Sequence, residues 1–259
     1  MGVKIISQIF LTDSPDPELS PFLKHATGTV RLAFPDHKYT TYNKETLRQF
    51  IVENYDAKVV WAYDKLRPYA YKADLGRLCL LNKLGGWYFD IGVRVQTSIK
   101  INDTIQFLAF RDIQRHSCSS WACNNGILYS KPENIVLQTA IKYIIRSCEE
   151  EYYGITPLCP TGPTLLGEAL AAHRVNASFI YGDALELTPL HENKNKSFVL
   201  SDGTIFGWGK PSKGGDLTKL GALGVNNYNE LWHSKQVYIK QGSGSYSGGL
   251  LPKSSTTTM

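Results

Sequence analysis

Asp74 and Arg77 lie three residues apart in YAYKADLGRLCLLNKL, and Asp90 follows in LGGWYFDIGV. Three apart on a helix is one face, so that face carries a carboxylate acceptor beside a forked guanidinium donor. On a solvated surface such a pair contributes little. Here the helix is otherwise apolar around them, and Gly85–Gly86 leads it directly into a strand with a single acid. Residues two apart on a strand share a face, so Asp90, Gly92 and Arg94 align at that strand's carboxyl end, where open α/β sheets bind ligands. The chemistry on offer is charge-assisted hydrogen bonding to a ligand, with Arg94 as a further positive charge.

The elements that must position these residues follow from periodicity. VKIISQIFL (3–11) reads as a buried strand ended by TDSPDPE, and VRLAF (30–34) as a second strand. Asn43 caps a helix over 44–53 with Leu47, Phe50, Ile51 and Tyr55 on one face, and a further helical segment covers 57–66. The helix over 68–84 is the clearest: Pro68 suits its first turn, and the glycine pair ends it. Strands follow at 87–95, 105–110 and 126–130. A helix over 132–148 buries Ile135, Ile141, Ile144, Ile145 and Cys148, and another spans 163–174 after TGPT. SFVL-SDG-TIFGWG (197–209) reads as a hairpin turning at Asp202–Gly203. Residues 241–259, QGSGSYSGGLLPKSSTTTM, read as a flexible tail. Strands alternating with helices over 1–180 argue for an α/β sandwich.

Composition narrows the function classes. The chain has 259 residues, 42% hydrophobic and 20% charged, which is ordinary for a soluble globular protein. Lys and Arg total 28 against 23 acids, a net charge of +5. That excess suits an anionic small molecule or weak attraction to an anionic membrane surface, and is too dilute for nucleic acid. The 15 tyrosines and 5 tryptophans either stack on bases and sugar rings or fill the core. Five cysteines form no CxxC pair and no zinc spacing, and read as free thiols in a reducing compartment. Cys79 with His116 or His173 carries no nucleophile signature. With no signal-peptide pattern and no run of about 18 apolar residues, the reading is a soluble, cytoplasmic protein.

The runs KIISQIFL, FPDHKYTTYN and YAYKADLGRLCLLNKLGGWYFDIGV resemble the glycosyltransferase family whose sugar-binding region carries the DXD motif. That family contains yeast-type initiating mannosyltransferases and many bacterial capsular and surface polysaccharide enzymes. Its catalytic domain is similar to that of the large clostridial glucosylating toxins. The paired ADLGR and LGGWYFD carry the resemblance, densest over 3–11 and 69–95 and extending to about 235. It implies a GT-A fold, a mainly parallel central sheet flanked by helices, in one domain over 1–240. It also implies retaining transfer of a hexose from a nucleotide diphosphate sugar to a glycan or lipid-linked saccharide, at the inner face of a membrane.

Carried over by position, the resemblance puts Phe10, with Gln8 and Leu11 beside it, at the nucleotide base. Asp74, Arg77 and Asp90 stand at the donor sugar, where each hydrogen bond to a charged group is worth about 1.5–3 kcal/mol. Gly92 departs from the pattern, because the family has there a second Asp that holds Mn²⁺ or Mg²⁺ against the diphosphate. Either Asp90 retains a cation alone, or Arg94 replaces it as the charge that neutralises the leaving group. Trp232 and His233, in NNYNELWHSKQVY, stand where the family brings residues over the diphosphate. Asn124 and Asn125 either meet the sugar or acceptor or form a turn. The rival reading is a GT-A domain that binds a sugar nucleotide or glycan without transfer.

Overall fold

Gly85 and Gly86 sit at φ +67° and +87°, conformations that side chains rarely adopt. A Cβ on Gly86 would also stand 2.4 Å from the Ile5 carbonyl oxygen. This pair ends a long buried helix and drops the chain onto the first strand within one residue. The computed structural model describes residues 2–15, 17–173, 179–187, 196–211 and 217–240. The expected tail, 241–259, lies outside the described residues.

In chain order the first elements are β1 (Ile5–Ile9), α1 (Pro21–Ala33), β2 (Lys38–Tyr42), α2 (Lys44–Asn54), α3 (Ala57–Lys65), α4 (Tyr69–Leu84), β3 (Gly86–Phe89) and β4 (Arg94–Val95). Then come β5 (Phe107–Arg111), α5 (Gln114–Ser117), β6 (Cys123–Ser130), α6 (Ile135–Glu149), α7 (Pro163–Ala172), β7 (Phe179–Glu186), β8 (Lys196–Leu200), β9 (Ile205–Trp208) and α8 (Tyr228–His233). Among the described residues the strands form one sheet in the order β2-β1-β3-β6-β5-β7-β8-β9-β4.

The α/β architecture is as expected, but the sheet is mixed rather than mainly parallel. Only β1–β2, β1–β3 and β5–β7 pair in parallel. A short link accounts for one of the antiparallel pairs: β8 and β9 are joined by one tight turn at Asp202–Gly203, and a parallel pair would need a crossover.

Three local expectations change. Residues 30–34 are not a strand, because they close α1. Ser20 caps that helix, Pro21 opens it, and Leu23, Ala26, Thr27 and Val30 are buried at helical spacing. The period outweighs the β-branched content of VRLAF. Ile135 is exposed rather than buried, since it is the first residue of α6, just after the Asn134 cap. The strand expected over 87–95 breaks at Phe89, where the Val93 amide donates to the Asp90 carbonyl across a turn (2.9 Å).

Two cores flank the sheet. On one side α4, α6 and α7 pack through Leu75, Leu78, Val136, Ala140 and Leu166. On the other, Trp87 and Phe89 stack with Phe34 and Phe206. Strand alternation therefore sends Trp87 and Phe89 to one face, and Tyr88 and Asp90 to the face that α4 covers. Four of the five thiols are buried, and Cys118 is exposed. Among the described residues no helix is long and apolar enough to cross a membrane.

Candidate active site

The Arg77 guanidinium is the hub. Its Nε donates to the Ala73 carbonyl (3.0 Å) and its Nη1 to the Asn125 carbonyl (2.6 Å). Nη2 lies 3.1 Å from Asp74 Oδ1, and Nη1 lies 3.0 Å from Asp90 Oδ1. The guanidinium plane sits 4.6 Å from the centre of the Tyr88 ring, whose hydroxyl donates to the same Asp90 oxygen (3.0 Å). The helical face of Asp74 and Arg77 and the strand face of Tyr88 and Asp90 thus meet as their periods require.

The two carboxylates differ in environment. Asp74 is buried and saturated: Asn125 Nδ2 donates to Oδ1 (2.9 Å) and the Thr161 hydroxyl to Oδ2 (2.7 Å). Burial pushes its carboxyl up to about 7, although Arg77, Thr161 and Asn125 all favour the ionised form. Arg77 itself is held firmly protonated: Asp90, Tyr88 and Asp74 together outweigh its burial. Asp90 keeps 47% of its side chain exposed, so it is the acid that the cleft presents. Its Oδ2 would lie 2.9 Å from a Cβ on Gly126, so the glycine there makes room for the carboxylate.

Around this cluster opens a cleft of ≈ 1060 Å³. Phe10, Leu11, Asp74, Arg77, Asp90 and Asn125 all line it, so these expected site residues come together. Phe10 does so as a residue only 5% exposed, packed against Leu23, Ile91 and Ala222. Asn124 lines it too, donating to Asp112 Oδ1 (2.8 Å) and accepting from the Gly126 amide (3.0 Å). The asparagine pair is therefore part of β6 and not a turn.

Four expected residues stand elsewhere. Gln8 is fully buried; its Nε2 donates to the Phe89 and Asp90 carbonyls (3.3 Å each), and its Oε1 accepts from the Tyr39 hydroxyl. It pins the end of β3. Arg94 does not share the face of Asp90, because the turn after Phe89 carries it to β4, paired with β9 at the sheet edge. Its guanidinium lies over Phe22 (5.6 Å) and Trp208 (5.8 Å) and donates to the Gly209 carbonyl (3.4 Å). Trp232 donates to the Tyr153 carbonyl (2.8 Å), and His233 packs edge-on against it. None of these four lines the cleft.

Sequence reasoning missed other members. Thr161 comes from the turn before α7, and Asp112, just after β5, meets Lys196 of β8 at 2.6 Å, with the Asp112 side chain 1% exposed. No local pattern marks them. Asn226 was reachable through its asparagine cluster: it accepts from the Tyr69 amide (2.9 Å) and donates to the Arg67 carbonyl (3.2 Å), tying the C-terminal segment to the start of α4.

The donor set does not fit a metal ion held by the protein. Among the described residues no three His, Cys, Asp or Glu side chains gather as ligands. Asp90 Oδ1 is already shared by Arg77 and Tyr88, and Lys210 packs over Gly92 where a second acid would stand.

Residues 22–110 match the family described as "Glycosyltransferase sugar-binding region containing DXD motif". Among solved structures, the PaToxG glycosyltransferase aligns with TM-score 0.52 and 15% identity over 66% of this chain and 69% of its own. The ligand-free glycosyltransferase domain from the YGT toxin aligns with TM-score 0.43 and 10% identity, over 68% of this chain and 69% of that one. No curated protein matches the sequence. The chain thus has the GT-A-type α/β fold seen in PaToxG, and the segment carrying Asp74, Arg77 and Asp90 matches a sugar-binding glycosyltransferase region.

Proposed function

We propose that this protein is a retaining glycosyltransferase, moving a hexose from a nucleotide diphosphate sugar to a hydroxyl of a glycan or lipid-linked saccharide. One observation carries the reading. Arg77 gathers Asp74, Asp90 and Asn125 at the wall of a cleft of ≈ 1060 Å³, large enough for a nucleotide sugar beside an acceptor.

In this reading Asp90 accepts hydrogen bonds from donor hydroxyls, and Arg77 and Tyr88 hold it in place. Asp74 acts one step back, fixing Arg77 and Asn125. Phe10 and Leu11 form an apolar wall for the base. Catalysis comes from holding donor and acceptor in attacking distance and stabilising the departing diphosphate. Surface polysaccharide synthesis at the inner face of a membrane is the setting that the family resemblance suggests.

A panel assay tests this. The chain is incubated with UDP-, GDP-, dTDP- and CMP-sugars, melting is followed, and hydrolysis or transfer is measured. A donor at 100 times its dissociation constant raises stability by about 2.7 kcal/mol. Stabilisation with turnover supports the transferase. Stabilisation without any turnover across donors and saccharide acceptors would establish a binding domain instead.

A further inference from the structure

Gly92 has no backbone reason to be glycine. It is not among the glycines at positive φ, so its conformation is one that any residue adopts. The reason is a neighbour. A Cβ built on Gly92 would stand 3.1 Å from Lys210 Cβ and 3.8 Å from Lys210 Cδ, with Leu220 Cδ1 at 3.9 Å. An aspartate at 92 would press its first side-chain carbon against the lysine stem.

The residue before that lysine is held at both its carbonyl and its amide. Arg94 holds the Gly209 carbonyl (3.4 Å), and the Gly209 amide donates to the Lys196 carbonyl (2.7 Å). Lys210 lines the same cleft as Asp90, Gly92 and Gly126. The Lys210 stem thus occupies the space beside the second motif position, on a cationic residue that lines the cleft.

We propose, on the glycosyltransferase reading above, that Lys210 replaces the metal ion as the counter-charge of the donor diphosphate, and that Gly92 is glycine to let it pass. In transfer, the bond from the anomeric carbon to the distal phosphate oxygen breaks, and its electron pair stays on that oxygen. The acceptor oxygen bonds to the anomeric carbon, and the acceptor's proton passes to the released phosphate oxygen. Lys210 keeps its protons throughout and stabilises the charge that develops, as a compact ammonium can.

The test titrates the full chain with UDP, GDP, ADP, CDP and dTDP, each beside its monophosphate, in EDTA and in Mn²⁺. The parent is compared with Lys210→Met, which keeps the stem over Gly92, and with Lys210→Arg. The preferred diphosphate should bind equally well, within about two-fold, in EDTA and in Mn²⁺. Lys210→Met should weaken it about ten-fold or more and leave the monophosphate within about three-fold, and Lys210→Arg should recover most of the loss. Diphosphate binding that vanishes in EDTA and returns with Mn²⁺ overturns the proposal. So does a Met variant that binds like the parent, or that loses both nucleotides equally. If the parent binds none of these nucleotides under either condition, the glycosyltransferase reading falls with it, and that outcome is distinct from the other three.

Discussion

Arg77 and Asp90 meet across the join of α4 and β3, with Nη1 3.0 Å from Oδ1. The arginine is buried and the acid is half exposed, so the helix supplies a rigid backing charge and the strand end supplies the carboxylate that a ligand can reach. Removing the acid's charge while keeping its shape isolates that function. Asp90→Asn should lower transfer by about 100-fold or more, the scale of losing a pre-placed polar contact, with little change in melting. Activity within a few-fold of the parent would take Asp90 out of the site.

Asp74 should show itself through stability. Asp74→Ala leaves Arg77 buried beside one carboxylate instead of two and strips Asn125 and Thr161 of their acceptor, and should cost about 3–5 kcal/mol in denaturant unfolding. Asp74→Asn, which loses the charge but keeps the shape and an acceptor oxygen, should cost less. An Ala variant as stable as the parent would mean that the buried pair contributes no stability.

The pH dependence follows from the same residue. Its ordinary pKa of 3.8 rises to about 7 in the fold, so the folded state binds the proton more tightly. The stability this adds is full below the unfolded value and is lost as pH rises through about 7. Between about pH 4 and 8 the parent should therefore lose stability relative to Asp74→Asn, which has no such proton. A flat difference across that range would show that Arg77 keeps Asp74 ionised throughout.

Phe10 packs in a small core with Leu23, Ile91 and Ala222 while one edge lines the cleft. Phe10→Ala should lower stability by about 3–5 kcal/mol, the usual cost of deleting a buried ring. Base stacking, worth about 1–3 kcal/mol, would appear as weakened nucleotide binding on a variant that melts normally. Melting and affinity measured on one preparation separate the two.

Arg94 is expected to act on the fold. Its guanidinium lies over Phe22 and Trp208 and joins β4 to the loop after β9. Arg94→Ala should lower stability by about 1–2 kcal/mol through lost cation–π and stem packing. Undiminished melting with a large loss of diphosphate binding would restore Arg94 to the cleft.

The sequence by itself determined that Asp74 and Arg77 share a helical face, that a glycine pair delivers Asp90 from a buried strand, and that SDG turns a hairpin. These are local facts, set by periods of 3.6 and 2 and by the conformations that glycine permits. The same rules, applied to the capping pair Ser20–Pro21 and the spacing of Leu23, Ala26 and Val30, outweigh the β-branched residues of VRLAF. Tertiary structure alone decided the remainder of the site. A turn after Phe89 took Arg94 to the far edge of the sheet, and the chain beyond β9 brought Lys210 over Gly92. Thr161 closed on Asp74, and Lys196 on Asp112, from segments distant in the chain. Such partners are chosen by which strands become neighbours and which glycines leave room, and no local period in the chain carries that information.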